Sequence, residues 1–212
     1  MWENPFRVRG LLLALLAILA IAPLFGQAGA QIPQRPGASV YLTGQLLVAS
    51  PELQDPNFSK TVVFMVDHGP DGALGIIINR EIGAGRIAML MKGFGLKGAD
   101  AKGKIMLHFG GPVRPQGAFI LHSSDWHTPL SRRIDTEVSF TTDADILRAL
   151  GAGKGPKHVL FALGYAGWTA GQLENEIESG AWTVAPAGAA RVFRHAKDTL
   201  WDEMRGNSGI PL

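Results

Sequence analysis

A chain of 212 residues, 46% of them hydrophobic, is long enough to bury one proper core with a short appendage to spare. Twenty Lys and Arg against 18 Asp and Glu leave a formal charge of +2, too weak a field to draw in nucleic acid or an anionic membrane. The absence of Cys excludes thiol catalysis, thiolate metal ligation and disulfides, while 27 Gly and 13 Pro promise short elements joined by many turns.

The first thirty residues read as a secretory leader. Arg7 and Arg9 precede an apolar run from Leu11 to Phe25, and Ala28-Gly29-Ala30 gives the small-residue pattern of a signal-peptidase site before Gln31. This predicts a signal peptide over 1–30, a flexible tether over 31–43, one domain over 44–205 and a loose tail over 206–212. The expected location is periplasmic or secreted; the alternative is cytoplasmic, with a mis-assigned start. The only membrane contact expected is through the leader before its cleavage. Gln45 to Ala49 reads as a strand. Thr61 to Val66 and Ala73 to Asn79 are β-branched runs around Gly69-Pro70-Asp71-Gly72, a hairpin whose nearly continuous apolar strands belong in the middle of a covered sheet.

Arg86 to Lys92 has the spacing of a short amphipathic helix. Ile105 to Phe109 and Ala118 to Leu121 flank GGPVRPQG and suggest a second hairpin-like pair. Glu137 to Phe140 is a further strand, and Asp143 to Ala149 a helix behind Thr142. Val159 to Leu163 is too short for a helix and predicts a buried strand, left at Gly164. Thr169 and Gln172 have capping-box spacing for a helix from about Ala170 to Gly180, followed by a strand over Trp182 to Val184. A last helix is expected over Phe193 to Met204, with Ala196, Leu200 and Met204 on one face. Strands and helices do not alternate strictly, which favours a mixed α+β domain with about four helices over a doubly wound sheet.

Several blocks resemble the YqgE/AlgH family of bacterial proteins: the run Leu46 to Arg80, Gly110 to Val113 (GGPV), and GYAGW at Gly164 to Trp168 with Gln172-Leu173-Glu174 and Gly180-Ala181-Trp182. The resemblance covers roughly Gly44 to Trp201. It implies a mixed, branched β-sheet with a small barrel-like part and helices packed around it. The family has been linked to transcriptional control of exopolysaccharide, a role that the leader of this chain does not fit.

No complete catalytic constellation, metal motif or cofactor motif emerges. Gly83-Ala84-Gly85-Arg86-Ile87-Ala88 fits G-x-G-x-x-A, but the chain does not continue as a dinucleotide fold, and a plain linking turn is preferred. His108-Phe109-Gly110-Gly111 resembles an oxyanion loop without a G-x-S-x-G nucleophile. His122, Asp125 and His127 have metal-ligand chemistry in a spacing that does not converge. The residues selected as a ligand-binding groove are Asn79, Gly110, Gly111, Arg114, Trp168, Gln172 and Glu176. The leading expectation is a non-enzymatic binding or regulatory module for a small ligand or protein partner. The alternatives are a hydrolase-type enzyme with an unassigned site, drawing on Asn79, His108, Arg114 and Glu176, or a transcriptional regulator.

Overall fold

A computed structural model describes residues 41–97, 100–194 and 199–207. The leader, the tether before Tyr41, Ala196 and the extreme tail lie outside the described residues. Ten strands and five helices are present among those described, in one branched, mixed sheet.

The hairpin forms as the sequence predicts. β1 (Gln45–Ala49) pairs with β2 (Val62–Gly69), and β2 turns through Pro70-Asp71 into β3 (Gly72–Ile77). Val62 to Val66 and Ala73 to Ile78 are buried on consecutive positions, so both faces of these strands are covered, as expected of a central pair. β10 (Trp182–Pro186) runs antiparallel along the other side of β1.

The GAGRIA segment is not a linking turn. Glu81–Arg86 is strand β4, an edge strand paired with β5 (Lys104–Phe109), before α1 (Ile87–Gly93) begins. Gly85 has Leu90 and Leu107 side chains against its backbone. Backbone groups taken up in a ladder are not arranged to cradle a phosphate.

The second expected hairpin is also different. β5 and β6 (Val113–Ser123) do not pair; β9 (Val159–Thr169) lies between them, parallel to β5 and antiparallel to β6. β9 does not stop at Leu163 but continues through the GYAGW run, and its second half pairs with β3. The sheet therefore forks along one edge of β9, with β5 on Phe161 to Leu163 and β3 on Ala166 to Thr169. β7 (Arg132–Arg133) and β8 (Val138–Thr141) extend the sheet beyond β6.

Alternation along β6 and β9 divides the apolar residues between two cores. Phe119, Leu121, Leu160 and Ala162 join the larger cluster with β1, β2 and β3. Ala118, Ile120 and Phe161 face the smaller one, closed by Ile87 and Met91 of α1 and by Ile146 and Leu147 of α2 (Ile146–Gly151). Within the span of the helix expected over Phe193 to Met204, the described helix is α5 (Leu200–Asn207), and a separate short helix, α4 (Ala189–Val192), lies before that span. Leu200, Trp201 and Met204 are buried in the larger core, and Trp201 Nε1 donates to the Ala49 carbonyl at 2.8 Å.

Candidate functional site

The selected polar residues fall into separate groups around β9. Asn79 closes the turn before β2: its Oδ1 accepts from Val62 N–H at 2.7 Å and its Nδ2 donates to the Lys60 carbonyl at 3.0 Å. Arg80 beside it donates to the carbonyls of Pro56, Asn57 and Ser59. Both side chains hold the 55–61 loop.

Trp168, Gln172 and Glu176 do come together. α3 (Gln172–Glu178) sets Gln172 and Glu176 one turn apart on one face. Glu176 Oε2 accepts both indole N–H groups, from Trp168 and from Trp182, at 2.8 Å each, and Oε1 accepts from Gln172 Nε2 at 2.9 Å. Phe58 packs on both indoles, at 6.4 and 5.8 Å between ring centres. The Thr169–Gln172 box forms by half: Gln172 Oε1 accepts from Thr169 N–H at 3.1 Å, whereas the helix N-cap is Gly171 with φ of 72°. Glu176 is thus the polar centre of an aromatic cluster joining β9, α3 and β10.

Gly110, Gly111 and Pro112 carry the chain from β5 across β9 to β6. The two outer strands of such a trio lie about 10 Å apart, within reach of four Cα steps. The crossing is in backbone contact. A methyl on Gly111 would lie 2.2 Å from the Tyr165 carbonyl carbon, and one on Gly164 would lie 2.2 Å from the Gly111 oxygen. Gly111 and Gly164 have φ of 146° and 74°. The Gly110 N–H donates to the Leu163 carbonyl at 2.9 Å, so this amide serves the sheet and not an oxyanion.

Immediately past the crossing, Arg114 to Gly117 bulge out of β6 between the Val113–Tyr165 and Ala118–Leu163 pairs. Arg114 has φ of 48°, one of two non-glycine residues in the left-handed region among those described. Its side chain is exposed and makes no hydrogen bond or ion pair among the described residues, and it lines an open depression of about 450 Å³ with Pro115, Gln116 and Gly117.

Two histidine pairings escaped sequence reasoning. His68 Nδ1 accepts from Leu42 N–H at 3.0 Å, so its Nε2 carries the proton and donates to Glu174 Oε1 at 2.9 Å. The Glu174 carboxyl is held below its usual range, first by its own backbone N–H at the start of α3 and then by His68. His122, fully buried, meets Ser131 Oγ at 3.1 Å. No sequence spacing marks either contact, because strand pairing and a loop return create them. No cluster of three or more metal-ligating side chains occurs among the described residues, and His127 is exposed while His122 is enclosed.

Burial pushes the His122 imidazole below its ordinary value of 6.5. A group whose folded pKa is depressed contributes stability that is complete above 6.5 and is lost as pH falls through the folded value. Urea melts of the wild type should therefore show stability declining on acidification below about pH 6.5, with a shallower decline in His122→Gln.

Residues 46–212 match the family described as AlgH-like. A UPF0301 protein of Methylococcus capsulatus is 39% identical over 180 residues, covering 85% of this chain and 98% of its own. Another from Rhodospirillum rubrum is 38% identical over 170 residues, covering 80% and 88%. The solution structure of AlgH from Pseudomonas aeruginosa superposes with a TM-score of 0.69 at 33% identity, over 84% of this chain and 94% of that one. A Corynebacterium diphtheriae protein shares the fold, with a TM-score of 0.61 at 21% identity, over 86% and 92%. These matches agree with the blocks that carried the resemblance, and the chain belongs to the AlgH-like family.

Proposed function

We propose that this chain is a binding module that recognises an anionic group, such as a carboxylate or phosphate, through the Arg114–Gly117 loop. The observation that carries the reading is Arg114 itself: a charged residue held in a left-handed conformation that costs roughly 1–2 kcal/mol, with its guanidinium turned out to solvent. Strain of this kind persists where the surroundings impose it, and it clusters at ligand sites. The loop leaves β6 beside the Gly111–Gly164 crossing, which gives it a rigid base. The other polar groups of the selected set, on Asn79, Gln172 and Glu176, already have intramolecular partners.

Titration with inorganic phosphate, and with a short peptide ending in a free carboxylate, followed by amide NMR, tests this. Saturable shifts should centre on Arg114 to Gly117 and vanish in Arg114→Ala; no shift with either probe would refute the proposal. Arg114→Gly should also lose binding. It relieves the left-handed strain at the expense of a more flexible unfolded chain, so its stability should equal or exceed the wild type by up to about 1 kcal/mol. Export is part of the same proposal, supported by the leader and its Ala28-Gly29-Ala30 pattern. An intact mass beginning at Gln31 is the expected result, and a cytoplasmic species that is never exported would favour a regulator instead.

A further inference from the structure

At the far end of β6 from the Arg114 loop, the structure holds a hydroxyl and an imidazole in a defined proton relation. His122 Nδ1 lies 3.0 Å from the Ser123 carbonyl oxygen, which can only accept. That nitrogen therefore carries the proton, and Nε2 presents its lone pair to Ser131 Oγ at 3.1 Å. The Thr128 N–H donates to the same Oγ at 3.0 Å. The turn that brings Ser131 back is closed by Ser131 N–H on the Thr128 carbonyl, and Trp126 packs edge-on to the imidazole at 5.4 Å. Ser131 is half-buried, so the hydroxyl sits at the border between core and solvent, and the neighbouring Leu130 is 66% exposed.

We infer that Ser131 and His122 form a nucleophile–base pair able to transfer acyl groups from small carboxylic esters, with Leu130 offering an apolar surface to the acyl chain. Nucleophile and base are in hydrogen-bond contact, and the base is oriented by a third group. Here the Ser123 carbonyl holds the tautomer that a carboxylate holds in a Ser-His-Asp arrangement. Ser131 Oγ bonds to the ester carbonyl carbon as its proton passes to His122 Nε2. The bond from that carbon to the alcohol oxygen then breaks, and the alcohol leaves with the proton. Water, deprotonated by the same nitrogen, attacks the acyl-serine, releasing the acid and restoring Ser131. The Thr128 N–H already aimed at Oγ stabilises charge building there during deprotonation. A carbonyl supports the imidazolium less than a carboxylate does, so turnover is slow.

The test uses the full chain, a fluorophosphonate probe and p-nitrophenyl acetate. The probe forms a P–O bond at a nucleophilic serine with loss of fluoride. We expect one adduct, on the peptide containing Ser131, together with acetate ester hydrolysis; Ser131→Ala should lose both. His122→Gln should slow labelling by about 100-fold, the lower end of the general-base range. Labelling of the wild type should also fall as pH is lowered below the ordinary imidazole value of 6.5, as His122 takes up a proton; Asp125 and His127 are the other titratable groups that act on this ring. Failure to label Ser131 in the folded wild type, or labelling indifferent to pH, overturns the inference, and neither readout requires the His122 variant to fold.

Discussion

Gly111→Ala is expected to be the most damaging single change in the domain. The added methyl would sit 2.2 Å from the Tyr165 carbonyl carbon and 2.4 Å from the Ala166 nitrogen, both backbone atoms of the strand that β3, β5 and β6 all pair with. Neither rotamer change nor side-chain retreat relieves such a contact. Either Gly110–Pro112 lifts off β9 or β9 moves, and each breaks ladder bonds on both sides. A loss above about 4 kcal/mol follows, which belongs to the rare severe class and is a large share of a typical domain stability of about 5–15 kcal/mol. Gly83→Ala is the matched control. Its φ of 128° is similarly unfavourable for a side chain, but nothing lies within 4 Å of the new methyl, so its cost should stay near the 1–3 kcal/mol of local strain. Urea melts of both, read by tryptophan fluorescence, separate the crossing from the strain; equal losses would show that the crossing adds nothing.

Glu176→Ala should be the second most damaging single change. Trp168 and Trp182 are each 3% exposed, and their indole N–H groups share one carboxylate oxygen. Removing the carboxylate strands two buried donors at about 1–3 kcal/mol each, so a loss of about 4 kcal/mol is expected. Glu176→Gln provides the internal check. Its amide oxygen can keep both indoles, but its amino group then confronts Gln172 Nε2, whose own oxygen is engaged by Thr169. A loss of about 1–2 kcal/mol follows for this variant. Similar losses for Ala and Gln would mean that the indoles do not depend on the acceptor.

The legible parts of this molecule were those with local signals. β1 is found at its predicted bounds, and the hairpin of β2 and β3 follows from two β-branched runs around Gly-Pro-Asp-Gly. β4 was not legible because Glu-Ile-Gly-Ala-Gly-Arg has little of the branched or aromatic content that marks a strand; its pairing with β5 decides its state. Gly164 reads as the end of the strand over Val159 to Leu163, whereas it supplies a kink within a continuing strand and Gly167 lets the Tyr165 ring lie close by. The insertion of β9 between β5 and β6 is a long-range choice with no counterpart in spacing. The same limit applied to the candidate groove. The one-turn spacing of Gln172 and Glu176 placed them together, but the indoles they serve come from β9 and β10, and Ser131 reaches His122 only through the return of a loop.

The crossing of β9 also sets an order of events for a growing chain. β5, β6 and the strap between them leave the ribosome well before Val159, yet their native neighbour is a strand not yet made. Until β9 arrives, three strand edges, on β3, β5 and β6, stand open to wrong partners. Their closure then waits on contacts between segments roughly forty to almost a hundred residues apart, the kind of pairing that slows folding. A nascent chain of this protein therefore has reason to be shielded until GYAGW has been synthesised.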